Sequence, residues 1–352
     1  MFTDVSIQRF HGYEPGLKER LLGGIRLSPP GISPDVELLR DALAIPGRRG
    51  LYDAQGRRID AGHWRTLSED APELFRRKLH SRTPETVGVP DRIAKFDQKV
   101  VFGGMLIPQY GHFLIDSMAR LWAADVEPGL PILFLKHPDD WVEFPDYVRI
   151  IFDALGLSSR IVTVDEPTLF REVLCPAPTF EYRSKVFSIA DRPHRLVAEK
   201  LAQRVSRRWS RPVYLSRSGL QSNQRKFAAE LELQDEVGRR GVDIARPETL
   251  DLGEQIALFE QAPLIMGTVG SAFHTALFSR SSGNALGVLT WGRGIENYLL
   301  VDLIKSHKSH YIQSLTGIEE KYTLDVERSL RLLESAGLVP TRTQSRGVST
   351  GR

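Results

Sequence analysis

The sequence predicts an α/β protein built on two Rossmann-like sheets in tandem, and three observations carry that reading. The chain has 352 residues, enough for two domains at roughly 100–200 residues each. From about residue 98, short apolar runs alternate with helical patterns of roughly 10–15 residues, the rhythm of βαβ units and a parallel sheet. One long charged stretch, Asp191–Trp209, interrupts the alternation, which then resumes.

Composition narrows the class. With 41% hydrophobic and 26% charged residues, 29 Gly and 21 Pro, the chain reads as an ordinary soluble protein rather than a disordered one. A single cysteine, Cys175, excludes an internal disulfide and a multi-cysteine zinc site and suits a reducing compartment. The 47 basic residues nearly balance the 44 acidic ones, and Arg342, Arg346 and Arg352 of an acid-free tail supply the net +3. No basic face for nucleic acid is signalled, and no nucleic-acid partner is expected. The first residues carry no basic segment followed by an apolar one, so no leader is read there. Together with 36 Arg against 11 Lys, this leads us to expect a cytoplasmic protein.

Taken in order, residues 1–97 form an irregular N-terminal extension expected to pack on the first domain. Within it Ser33-Pro34-Asp35, ahead of Val36, Leu38, Leu39, Ala42 and Leu43, predicts an N-capped helix. Leu51–Arg57 predicts a hairpin whose Gly56 takes positive φ. Residues 98–190 form the first Rossmann-like domain: strands Lys99–Gly104, Pro131–Leu135 and Arg160–Val164, helices Gly111–Ala124 and Trp141–Leu155. A connecting helix covers 191–210. Residues 211–322 form the second domain, with strands Val213–Ser216, Val242–Ala245, Leu264–Gly267 and Ala285–Thr290 and helices over 224–240, 252–261 and 271–279. A last amphipathic helix lies within 323–339, and 340–352 is a disordered tail. Two such sheets in tandem place a ligand cleft at the carboxyl ends of their strands.

Four groups of residues carry candidate chemistry. Gly267-Thr268-Val269-Gly270-Ser271 falls between a strand and a helix, where small residues expose amides suited to a phosphate; the alternative is a tight turn with no ligand. It is neither a Walker loop nor a full G-x-G-x-x-G. Arg217 ends the strand P-V-Y-L, and Arg225 and Lys226 open the next helix; the three could hold a diphosphate, or the last two could be a solvated helix end. His112, Asp116 and Arg120 are spaced i, i+4, i+8 and would share one polar stripe, either a base at the cleft mouth or a self-satisfied brace. Gly103-Gly104 just before them suggests a close approach to the backbone. Glu248, after the strand ending in V-D-I-A, suits a ribose hydroxyl or a helix start.

The order Y-G-H-F-L-I-D-S-M-A-R-L-W, V-Y-L-S-R-S, P-E-T-L-D-L-G-E-Q-I-A-L-F-E-Q-A and G-T-V-G-S-A-F-H-T-A-L-F resembles glycosyltransferase family 61, in its bacterial capsular-polysaccharide branch, over about residues 98–290. The resemblance implies a GT-B architecture, with the acceptor mostly on the first domain and a nucleotide-sugar on the second. It further implies inverting chemistry that needs no metal and no cofactor, the nucleotide-sugar being a substrate. In those terms Arg217, Gly267, Thr268, Gly270 and Ser271, with Arg225 or Lys226, hold the donor diphosphate; Glu248 matches the acid before the E-Q helix; Asp116, or else His112, takes the proton of an acceptor hydroxyl. The chain departs from the pattern at Val269, where many members have His, and at Ala229, where many have Asn. The expected partners are a nucleotide-sugar and a saccharide or glycolipid acceptor, and a lipid-linked acceptor would bring peripheral membrane contact at the inner face. The competing readings are a non-catalytic nucleotide- or saccharide-binding partner of a polysaccharide assembly system and an NAD-dependent oxidoreductase, the latter lacking its glycine fingerprint.

Overall fold

The computed structural model describes residues 8–65, 83–137, 144–220, 227–280, 285–292, 294–317 and 323–341. In chain order its principal strands are β1 (Arg9–His11), β2 (Val36–Ala44), β3 (Gly50–Tyr52), β4 (Arg58–His63), β5 (Ala94–Phe96), β6 (Val100–Leu106), β7 (Ile132–Lys136), β8 (Ile161–Thr163) and β9 (Thr168–Pro176), followed by β10 (Val213–Leu215), β11 (Asp243–Ala245), β12 (Leu264–Thr268), β13 (Ala285–Thr290) and β14 (Lys308–Gln313). The principal helices are α1 (Asp146–Leu155), α2 (Asp191–Leu201), α3 (Glu230–Gly238), α4 (Leu252–Gln261), α5 (Glu296–Lys305) and α6 (Val326–Ser335).

The second half of the chain builds a six-stranded, wholly parallel sheet in the order β1-β14-β13-β12-β10-β11. Its central strands β10, β12 and β13 are near-continuous apolar runs because both faces are covered, and Val213, Tyr214, Ile265, Met266 and Leu289 are fully buried. Parallel register sends every carboxyl end to one edge, so the turns after β10, β11, β12 and β13 line up there. Two members were not read from the sequence. Strand β14 carries Lys308 and His310, and β1 lies in the extension expected on the first domain; Arg9–His11 pairs instead with His310–Ile312.

The first sheet runs β4-β3-β2-β9-β6-β7-β8, with β5 beside β9. Strands β9, β6, β7 and β8 are mutually parallel, as is β5 to β9; β2, β3 and β4 form an antiparallel wing. The helix expected from residue 33 is therefore corrected to a strand. Pairing with β9 at eight positions decides it, and Val36 and Leu38, which a helix would have buried, are exposed. The predicted hairpin is present, with Gly56 at φ 78. One face of the parallel strands, through Val100, Phe102, Leu133, Leu135 and Phe170, packs against Leu39, Ala42, Leu51 and Trp64 of the wing. The other, through Leu106, Ile132 and Phe134, joins Phe113, Leu114, Phe152 and the core of the second sheet in one continuous cluster.

The helix expected over Gly111–Ala124 is broken into an α turn (Tyr110–His112), a π turn (Phe113–Ser117) and a 3-10 turn (Leu121–Ala123). The bond from Met118 N–H to Phe113 O, 3.0 Å, spans five residues, and the extra residue rotates the chain beyond it. Arg120 consequently leaves the polar stripe. It is 2% exposed and donates to the carbonyls of His63 (2.7 Å), Ala61 (3.3 Å) and Pro176, tying the wing to the parallel strands. Gly103 and Gly104 serve packing rather than a ligand: a Cβ on Gly103 would lie 2.6 Å from the Phe134 ring, and Gly104, at φ 98, faces Arg120.

Helix α3 begins under strain. Its N-cap residue, Ala229, sits at φ 64, ψ 12, where a Cβ costs roughly 1–2 kcal/mol. Asparagine tolerates this region and can cap the helix. Ala229→Asn and Ala229→Gly should each stabilise the chain by about 0.5–1 kcal/mol. A thermal melt in which neither variant gains would count against the strain.

Candidate active site

The strand ends of the second sheet open into a cleft of about 1210 Å³, closed on the other side by residues of the first half. Arg217, Glu248, Thr268, Gly270 and Ser271 line one wall, and His112, Tyr182 and Arg183 the other. Tyr110, just ahead of His112, ties the walls together through its hydroxyl, 3.0 Å from Thr275 Oγ1.

Arg217 leaves β10 in a turn fixed by Ser216, whose N–H donates to Ala245 O (2.8 Å) and whose hydroxyl donates to Gln234 Oε1 (2.6 Å). Its own N–H donates to Glu230 Oε1, 3.2 Å. The guanidinium then lies against Gly270 so closely that a Cβ there would run into Nη1. Gly270 is extended, at φ −178, so space rather than backbone conformation demands glycine. Its carbonyl accepts from Tyr298 OH (3.1 Å) and from Phe273 N–H (3.2 Å). The latter is the first bond of the 3-10 helix Ser271–Phe278, so the Ser271 and Ala272 amides ahead of it have no acceptor within the helix, an arrangement that beside a cation suits a phosphate.

The other candidates sit as follows. Gly267 lies inside β12, off the cleft wall, where a Cβ would come 2.8 Å from Leu215 O; it is a strand-packing glycine. Thr268 reaches the wall, but its hydroxyl donates to Glu230 Oε1, 3.2 Å. Glu230, buried and with its carboxyl raised by that burial, gathers Arg217 N–H, Thr268 Oγ1 and Tyr214 OH and so joins three adjacent chain segments. Glu248 lines the cleft from the turn Pro247–Thr249, which Gln255 holds through 3.0 and 3.1 Å bonds to the carbonyls of Pro247 and Leu250. Asp251 and Glu254 form a reciprocal capping box on α4 beneath it. Arg225 and Lys226 lie outside the described residues.

On the opposite wall His112 Nδ1 lies 2.8 Å from Asp116 Oδ2. The two oxygens of Asp116 also accept from Arg65 Nε (2.8 Å) and Nη2 (2.6 Å), a bidentate pair. Arg65 is sandwiched between the rings of Trp64 and Tyr182, 4.1 and 4.4 Å from their centroids. Burial alone would push the Asp116 carboxyl up; the Arg65 guanidinium, with the His112 hydrogen bond, outweighs it and holds the carboxyl well below the usual range. Asp116 sits behind His112 and does not line the cleft. A carboxylate held by two arginine nitrogens is a poor base. Arg65 Nη2 also lies 3.0 Å from His112 Nδ1; with the Nδ1 proton donated to Asp116 Oδ2, His112 presents Nε2 as the basic atom.

Sequence reasoning missed Arg65, Tyr182, Tyr298 and His274. Arg65 lies 51 positions from Asp116 in a segment without periodicity. His274 sits amid the apolar run A-F-H-T-A-L-F and reads as core. Among the described residues no group of three or more His, Cys, Asp or Glu could hold a metal ion.

A sequence model of the family described as Glycosyltransferase 61 matches residues 110–286, half of the chain. The chain belongs to glycosyltransferase family 61. The matched span of this glycosyltransferase contains His112, Asp116, Arg217, Glu248, Gly270 and Ser271; the wing and Arg65 fall outside it. No curated protein matches the chain.

Proposed function

We propose that this glycosyltransferase moves a sugar, with inversion and without a metal, from a nucleotide-sugar to a hydroxyl of a saccharide acceptor in the synthesis of a capsule-type surface polysaccharide. The observation that carries the reading is the pairing across one cleft of Arg217 on Gly270–Ser271 with His112 backed by Asp116 and Arg65. In a GT-B arrangement the donor lies along the carboxyl edge of the second sheet, its ribose near Glu248 and its diphosphate at Arg217 and the Ser271 and Ala272 amides. The acceptor enters from the side of His112 and Tyr182.

The reaction is a single displacement. The acceptor hydroxyl gives its proton to His112 Nε2, its oxygen bonds to the anomeric carbon from the far face, and the bond to the diphosphate oxygen breaks with its electron pair leaving on the nucleotide. Charge grows on the leaving diphosphate as the ring becomes oxocarbenium-like, and preorganised cationic and amide groups stabilise it without reorganisation. Asp116 orients the imidazole and steadies its charged form, and Arg65 keeps Asp116 ionised. No helix among the described residues is long and apolar enough to cross a membrane. We place the enzyme in the cytoplasm, its contact with a lipid-linked acceptor peripheral.

A panel of UDP-, GDP- and dTDP-sugars tested for binding, then for transfer to oligosaccharide acceptors, checks the reading. Release of nucleoside diphosphate with a glycoside of inverted anomeric configuration is expected, and should persist in a chelator. Binding without turnover across acceptors would favour a non-catalytic binding partner, and binding of NAD(H) alone an oxidoreductase.

A further inference from the structure

His274 lies one turn into the 3-10 helix that starts at Ser271, 7% exposed, and lines the cleft. Its Nδ1 is 3.2 Å from Ser271 O, an acceptor, so the ring proton sits on Nδ1 and Nε2 carries a lone pair. Among the described residues Nε2 is a buried polar atom with no hydrogen-bond partner. Buried polar atoms are nearly always satisfied, and an unpaired one on a residue that lines the cleft marks a place for a ligand group.

Two neighbours locate that place. The Tyr298 ring packs on His274, 4.8 Å between centroids, and Tyr298 OH holds the Gly270 carbonyl. On the other side Gly111 approaches so closely that a Cβ would lie 2.8 Å from His274 Nδ1, which puts the ring beside the residue preceding His112. His274 is therefore close both to Ser271, at the start of its helix, and to the residue before His112. In a displacement the transferred sugar occupies the interval between them, with the leaving diphosphate on one side and the attacking hydroxyl on the other. Resting on the function proposed above, we infer that His274 Nε2 accepts a hydrogen bond from a hydroxyl of the transferred sugar and selects donors that carry a hydroxyl there.

The lone pair sets the chemistry. It accepts from a hydroxyl, and a carboxylate or a deoxy position in its place would leave it unpaired. Burial, with His112 nearby, lowers the His274 pKa to about 4, so the ring is neutral at assay pH and offers no charge to a uronate.

Calorimetry on the full chain compares each bare nucleoside diphosphate, UDP and GDP, with its hexose conjugates. The unsubstituted chain should bind the preferred conjugate more tightly than the bare nucleotide. His274→Phe, which keeps a ring against Tyr298 and removes the acceptor, should bind the bare nucleotide as before and lose about 10-fold of the sugar-dependent gain. His274→Gln, whose amide oxygen reaches the position of Nε2, should restore most of it, and kcat/KM should change in parallel with no displacement of the pH profile. His274→Leu makes the same deletion if the phenyl ring does not fit. Full sugar-dependent affinity in a folded His274→Phe or His274→Leu chain would overturn the inference, as would an equal loss for bare nucleotide and conjugate. Failure of the unsubstituted chain to bind any nucleotide or conjugate would overturn the donor reading itself.

Discussion

His112→Gln should lower turnover by about 10²–10⁴-fold, the range that a positioned general base supplies, and leave nucleoside diphosphate affinity unchanged. The glutamine keeps a polar side chain at the cleft mouth but cannot accept the proton. Asp116→Asn acts differently. Removing the carboxylate strands Arg65 among Trp64 and Tyr182, and breaking a buried ion pair costs about 3–5 kcal/mol. Asp116→Asn should therefore melt markedly earlier than His112→Gln as well as being slow.

The pH dependence of stability has its origin in the same pair. The Asp116 carboxyl is depressed in the folded chain, so its contribution is fully present above the unfolded value of about 4 and is lost as pH falls toward the folded one. Acid melting curves should show that loss in the unsubstituted chain and not in Asp116→Asn. A His112→Gln enzyme with full turnover would remove His112 from the role of base.

Arg217→Ala should lower kcat/KM by about 10²–10⁴-fold, since hydrogen bonds to a charged group contribute about 1.5–3 kcal/mol each and a forked pair is lost. Here, unlike at His112, nucleoside diphosphate affinity falls with the rate. Arg217→Lys should recover part, because a point charge replaces a planar fork. Gly270→Ala isolates the geometry: an extended backbone accepts alanine, yet the new methyl occupies the place of Nη1, so the fold should persist while donor affinity drops. Calorimetry with UDP and GDP separates these cases, and an Arg217→Ala chain that binds them normally would unseat Arg217 from the diphosphate site.

Legibility in the sequence divides along physical lines. The second sheet was readable because parallel strands covered on both faces are short apolar runs, and α4 matched its expected limits because Asp251 and Glu254 announce its start. Arg217 and Gly270 were readable as a strand end and a strand-to-helix turn. The first sheet was harder. In β2 the residues Val36, Leu38, Leu39, Ala42 and Leu43 also suit a helix, and only the long-range partner β9 decides. The π turn at Phe113–Ser117 leaves no mark in a periodicity of 3.6, so Arg120, beyond it, was misplaced while His112 and Asp116 stayed together. Arg65 and His274 act through contacts made only when distant segments meet.

Strand β1 also has a consequence for biosynthesis. Arg9 finds its ladder partner, His310, about 300 residues further along the chain, and at about 5–20 residues per second a ribosome needs roughly 15–60 s to deliver it. Throughout that interval Phe10 lacks its ladder partner Tyr311, and the parallel sheet cannot be sealed at that border until Lys308–Gln313 has been made.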